Sequence, residues 1–364
     1  MKKQILSVDL VIVFTVVLLM ASGLFVLTSA TNDTKRLSIQ PLCVIFGIIS
    51  MITLCFWDYK STAGKKNHIY ILCIISLVIV LLFGIGKEEK GATSWIRFGY
   101  IGVQPSEFVK LLFGLYLSLE LSEKCEKNTL NDKSELIVFL LKCAVIIALV
   151  ILQNDTGTAL VFLFMLITTL FVSGISKKYI FTALAVLLVL MPVIWFFLAD
   201  YQRDRIMVFI NPDMDLSDAG YQVHLAKLAL SSGGIFGKGY KNGAVNALSY
   251  LPEKETDFIF SVIGEEFGML GTLYFITLFA LLIFKMFYIA AKSKDLQGKL
   301  LVTAICAMFL FHIIENIGMT IGLLPVTGIP LPFVSYGGSS MLSMSLGVGL
   351  VLAVRRKTYT LLNS

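Results

Sequence analysis

Ionisable side chains at the edges of long apolar runs are the groups best placed to do chemistry in this chain, because charge held in or against hydrocarbon is costly and marks a functional candidate. Asp257 is the foremost. It opens an apolar run after Leu251-Pro252-Glu253-Lys254-Glu255-Thr256, with Thr256 expected to cap the helix. Burial at such an edge can raise a carboxylate toward the working range of a general base; the same residue also suits the positive end of a helix dipole, and the local sequence leaves both readings open. Glu265 and Glu266 follow eight and nine residues later, about 12 Å along a helix axis. Adjacent acids at that depth cannot both face lipid, so at least one is expected to enter a polar cavity or pair with a cation such as Lys110. Glu107 and Lys110 are three apart on one helix face, where they can neutralise each other or line the same cavity as Asp257. Arg97 beside Trp95 could grip a phosphate while the indole anchors at headgroup level. Asp155, in Gln153-Asn154-Asp155-Thr156-Gly157-Thr158, is better suited to capping a tight turn than to chemistry.

What must position these groups is a bundle in lipid. The chain is 57% hydrophobic and 15% charged with a mean hydropathy of +0.85, which excludes an ordinary soluble protein. Continuous apolar runs of the length a bilayer demands of a helix are expected near 10–30, 38–57, 68–86, 105–122, 134–153, 156–174, 178–198, 257–288, 299–322 and 333–354. The fold class is therefore an all-α integral membrane protein of about ten transmembrane helices, with residues 1–364 as one polytopic domain. Barrel strands would alternate in short segments, and these runs do not. The first run lacks a small-x-small cleavage signal and reads as a retained helix.

Orientation follows from the lysines and arginines of the short loops. Sixteen fall in the segments on the N-terminal side of the alternation and five in the short loops opposite, so both termini are expected in the cytoplasm. The formal charge of +6 is partly this bias, and it gives no reason to expect nucleic acid as a partner. The six cysteines lie in spans or in one inner loop without a Cys-x-x-Cys pair, so no structural disulfide is expected. The three histidines are too scattered to suggest a metal site.

Two outer segments depart from the simple alternation of span and loop. Gly91 to Lys110 combines glycines, Trp95 and Arg97 with a helix starting at Pro105, as in a loop folded back on the membrane. The segment 199–256, between the seventh and eighth spans, is long enough to signal function. Within it Tyr221 to Leu230 is expected to form a short interfacial helix, followed by a glycine-rich turn that carries Lys238. Near the end of the chain, three prolines and three glycines between Leu324 and Gly338 interrupt the apolar sequence around Ser335 and should shape a lateral groove, a plain re-entrant turn being the alternative.

Six stretches, GATSWIRFGYIGVQPSEFVK, QNDTGTALVF, DRIMVFINP, SSGGIFGKG, LPEKETDFIFSVIGEEFG and ENIGMTIGLLPVTGIPLPFVSYGGSS, in this order over nearly the whole chain, resemble the SEDS family (shape, elongation, division and sporulation). Tyr221-Gln222 and FGKG lean toward its elongation branch, slightly favoured, and SVIGEE toward division or sporulation. Glu255 stands where many relatives carry His, and Asn154 where many carry Pro. The resemblance implies a ten-helix fold in the bacterial cytoplasmic membrane. It also implies glycosyl transfer that polymerises lipid II at the outer face, in company with a class B penicillin-binding protein and membrane lipid. It makes Asp257, the acidic residue of the LPE-x-x-TDFIF motif, the expected catalytic residue.

On that reading Asp257 is the base of an inverting displacement. The expected substrate-binding set is Arg97, Trp95, Glu107, Lys110, Lys238, Glu265 and Ser335. No protein-held metal is expected, although a divalent cation, magnesium or manganese, could assist the departing diphosphate. A lipid flippase and a noncatalytic scaffold for a penicillin-binding protein are the alternatives.

Overall fold

The computed structural model describes residues 9–85, 93–98, 101–179, seven positions between 181 and 196, and residues 200–210, 219–243, 251 and 253–363. Helices dominate. Residues Leu10–Ala30 (α1), Thr34–Cys55 (α2) and Lys66–Phe83 (α3) precede a two-stranded hairpin, Ile96–Phe98 (β1) and Ile101–Val103 (β2). Pro105–Glu126 (α4), Lys133–Leu152 (α5), Thr156–Ser173 (α6), Asp200–Ile210 (α7), Ala219–Ser232 (α8), Ile259–Lys292 (α9), Leu296–Thr320 (α10) and Gly338–Asn363 (α11) complete the described elements. Eight of these helices are long and apolar enough to cross a membrane. The expected fourth span, α4, is a further long helix, and its acids and lysines dilute its hydropathy. The expected seventh span, 178–198, lies mostly outside the described residues.

Local sequence explains the helix ends. Asp9 and Asp33 accept from the first backbone N–H groups of α1 and α2, and Asp155 accepts from Thr158 at the start of α6, the capping expected of it. Pro105 occupies the first turn of α4, where its missing N–H costs nothing. The capping expected of Thr256 does not occur: its hydroxyl bonds Glu253 instead, and α9 begins only at Ile259, after Phe258.

Helices α4, α10 and α11 form the centre. Helix α10 packs against α4, α6 and α9, while α11 lies along α2. One apolar core draws on Val16 of α1, Phe113 of α4, Phe162 of α6, Met308 of α10 and Val351 of α11. The outer helices turn large apolar side chains such as Phe46, Leu82 and Leu141 outward, the pattern of a bundle whose solvent is lipid.

Two departures from the plain helical pattern shape the functional end. The expected fold-back before α4 is the β1–β2 hairpin, with Arg97 opposite Gly102. Helix α9 is broken at Gly268, whose φ of 64° and ψ of −157° are not helical. The turn after α8 repairs that break: Lys238 N–H donates to the Glu265 carbonyl, Gly239 N–H to that of Glu266, and Met269 N–H to that of Gly234. A Cβ on Gly268 would lie 2.4 Å from the Gly237 nitrogen, so both the dihedral and the close approach demand glycine.

Candidate functional site

Asp257 sits in the turn leading into α9, half-buried, its backbone N–H donating to the Glu253 carbonyl. Glu253 takes a positive φ of 51° to make that turn, and its carbonyl also receives Thr256 and Phe258. Asn316 of α10 holds the turn from behind, its side-chain N–H₂ donating to the carbonyls of Asp257 and Ile329, each at 2.8 Å. The amide thus joins the Asp257 turn to the irregular segment between α10 and α11. From that segment Ser335 donates to the Thr256 carbonyl and accepts from Leu331 N–H, and Tyr336 N–H donates to the Glu255 carbonyl. Gly328 faces the carboxylate: a Cβ there would lie 3.4 Å from Asp257 Oδ2. Arg36 at the start of α2 pairs with Glu255 and lies 5.5 Å over the Tyr336 ring. Glu255 is therefore part of the clamp on this turn.

One turn earlier on α10, His312 joins the same segment to α4. Lys110 Nζ donates to Glu107 Oε1 at 2.8 Å and meets His312 Nε2 at 2.9 Å. An ammonium can only donate, so Nε2 accepts and Nδ1–H donates to the Pro330 carbonyl, 3.1 Å away. Lys110 is fully buried and Glu107 is 2% exposed. Ser343 of α11 donates to the Glu107 carbonyl, closing the arrangement from the other side.

The third group is at the break in α9. Lys238 Nζ pairs with Glu265 Oε1 at 3.0 Å, and Ser29 of α1 donates to Glu266. The partner of Glu265 is therefore Lys238 from the glycine-rich turn rather than Lys110, because Glu107, one turn away on α4, already takes that lysine. Lys254, in the turn before Asp257, is part-buried, and burial pushes its ammonium below the usual lysine range against the opposing pull of Glu266 and Glu265.

The fourth place is the hairpin. Arg97 is exposed on β1, Trp95 packs its ring over Gly102, and Gln104 ties the hairpin's exit to Ser339 and Asp155. Of the expected set, Asp257 and Ser335 thus meet at one turn. Glu107 and Lys110 reach the same segment through His312, whereas Lys238, itself exposed, forms a separate pair with the buried Glu265. Lys110 Nζ, Glu107 Oε1, Glu265 Oε1 and Ser335 Oγ each meet a neighbouring protein group. Sequence reasoning missed His312 and Asn316 as site residues; their i, i+4 spacing with Glu315 between them was the available signal, a polar stripe within an apolar helix. Among the described residues no three His, Cys, Asp or Glu side chains gather where they could hold a metal ion.

The family model for the FtsW, RodA and SpoVE cell cycle proteins matches residues 2–360. Peptidoglycan glycosyltransferase MrdB of Escherichia coli is 33% identical over 339 residues, covering 93% of this chain and 90% of that protein. Stage V sporulation protein E of Bacillus subtilis is 34% identical over 363 residues, covering 96% of this chain and 97% of the relative. A solved chain from a peptidoglycan synthase complex, described for its coordination of polymerization and crosslinking, superposes with a TM-score of 0.84 at 29% identity, covering 97% of this chain and 98% of its own.

Proposed function

The chain belongs to the FtsW, RodA and SpoVE family of cell cycle proteins, and from that premise we propose that it is a peptidoglycan glycosyltransferase that polymerises lipid II at the outer face of the bacterial cytoplasmic membrane. The observation that carries the reading is the fixed turn around Asp257, held by Asn316 and Ser335 while its half-buried carboxylate faces Gly328. A general base needs that combination of rigid backbone and reachable carboxylate.

In lipid II the donor sugar is α-linked to a polyprenyl diphosphate, and the polymer is β-linked, so one inverting displacement suffices. Asp257 accepts the proton of the acceptor's 4-hydroxyl as its oxygen bonds the donor's anomeric carbon. The carbon–oxygen bond to the diphosphate breaks and the electron pair leaves with the phosphate oxygen. The leaving group is already ionised and needs positive charge in place of a general acid. Arg97 on the hairpin supplies such charge, with Trp95 seating it at the membrane surface. Glu107 and Lys110 act through His312 on Pro330, Lys238 and Glu265 brace α9 behind the Asp257 turn, and Ser335 fixes that turn. A divalent ion, magnesium or manganese, would be carried by the diphosphate and offset its charge.

The chain works as a single polytopic domain with both termini in the cytoplasm. It partners a crosslinking enzyme, a class B penicillin-binding protein, in keeping with the pairing of polymerization and crosslinking described for the related synthase complex. Reconstitution in liposomes with purified lipid II tests the reading: glycan polymer is the expected product. Transbilayer movement of lipid II without polymer would mark a flippase, and neither product, with or without the partner, would mark a scaffold.

A further inference from the structure

Three polar side chains spaced i, i+3 and i+4 on one face of α10 hold the irregular segment that passes in front of Asp257. His312 donates to the Pro330 carbonyl and Asn316 to that of Ile329. The third is Glu315, whose Oε1 accepts the Thr327 hydroxyl at 2.9 Å. Gly328 lies between these anchors and faces Asp257 Oδ2; it is exposed, whereas Val326 and Ile329 are buried.

Among the described residues, 325–330 make no backbone–backbone hydrogen bond, so side chains must fix the path of this segment. Gly328, with a φ of +76°, adds no stiffness of its own, and its place is set by the residues that flank it. On its C-terminal side the Ile329 and Pro330 carbonyls are both held. On its N-terminal side, among the described residues, the Thr327 hydroxyl is the one polar anchor. Gly157 at the start of α6 packs on the same residue, a Cβ there coming 2.8 Å from the Thr327 carbonyl oxygen. Glu315 is 4% exposed, and among the described residues Thr327 is its polar partner and no cation pairs with it. An acid kept inside a span without a counter-ion is costly, and packing alone would be served better by a neutral side chain.

We infer that Glu315 is a positioning residue for the glycosyl transfer: through Thr327 it fixes the backbone at Gly328 that faces Asp257, and with it the place of the reacting groups against the base. The inference rests on the glycosyltransferase reading above. The contact is made to protein and not to substrate, so its loss reaches kcat through misplacement of the reacting groups and leaves KM in place.

Initial rates of polymer formation at varied lipid II, by the intact chain in liposomes with and without its crosslinking partner, test this. Glu315→Ala and Thr327→Val should each lower kcat roughly tenfold or more, with KM within about twofold of wild type. Glu315→Gln keeps an acceptor and Thr327→Ser a donor, so both should recover kcat to within about threefold of wild type. The double variant Glu315→Ala, Thr327→Val should be no slower than the slower single variant, since each removes the same contact. Thermal unfolding establishes that each variant is folded; if Glu315→Ala is not, Thr327→Val against Thr327→Ser decides alone. Wild-type kcat in the alanine and valine variants would overturn the inference. So would a raised KM at unchanged kcat, losses that add in the double variant, or a glutamine variant as slow as the alanine one. Each of these leaves the glycosyltransferase reading standing, whereas a wild-type chain that makes no polymer overturns both.

Discussion

Replacing Lys110 by methionine keeps most of the length of the side chain and strips its charge from a fully buried site. The Lys110 and Glu107 side chains are 0% and 3% exposed, and Glu107 Oε2 already lacks a hydrogen-bond partner among the described residues. The variant would leave a buried carboxylate without its counter-ion, which costs about 3–5 kcal/mol. His312 would also lose the donor that fixes its ring against Pro330. The double variant Glu107→Gln, Lys110→Met removes both charges and should recover most of that loss, since neutral replacement of a buried pair is often tolerated. Equilibrium unfolding in mixed micelles of the wild type, both single variants and the double variant closes the cycle. A loss below about 1 kcal/mol for Lys110→Met, or a double variant that costs the sum of the singles, would refute the claim that the pair is a closed buried unit.

Other contacts give local tests. Asn316→Ala removes both amide bonds to the Asp257 and Ile329 carbonyls; it should cost about 1–3 kcal/mol in unfolding experiments and slow polymerisation with little change in lipid II binding. Gly268→Ala forces a left-handed dihedral and a contact with Gly237, so expression and thermal unfolding should both fall, with strain of about 1–3 kcal/mol before the clash is added. Lys357 beside Asp58 holds that carboxyl below its usual range, so the tether between α11 and the α2–α3 connection contributes above the unfolded carboxylate pKa and is lost as pH falls through the lower folded value. The pair is exposed, and acid unfolding of Asp58→Asn should differ from wild type by no more than about 1 kcal/mol.

Much of the frame was legible because bilayer thickness dictates helix length. The expected 10–30 is α1 itself, and 156–174 and 134–153 differ from α6 and α5 by one residue at one or both ends. The i, i+3 spacing of Glu107 and Lys110 made their pairing one of two readings, and it is the contact the structure shows. What was hidden depended on distant partners. Gly268 reads as one more residue of an apolar helix, and only the turn at 234–239 packing against it makes the break necessary. His312 looked isolated because its partners are a lysine two hundred residues away and a backbone carbonyl. At least one of Glu265 and Glu266 was expected to enter a polar cavity or pair with a cation such as Lys110; the cation that Glu265 meets, Lys238, arrives on a turn whose packing the sequence does not show. Helix α7 was read as loop because its polar residues, Asp200, Arg203, Asp204 and Arg205, mask its helical period.

Asp257→Asn bears most directly on the central claim, since the amide keeps the shape of the carboxyl and leaves the backbone bonds of the turn in place. Polymerisation of purified lipid II by this variant, measured beside its thermal unfolding, should fall by about 10²–10⁴-fold with an unchanged melting temperature. Wild-type polymerisation by a normally folded Asp257→Asn chain would contradict the account.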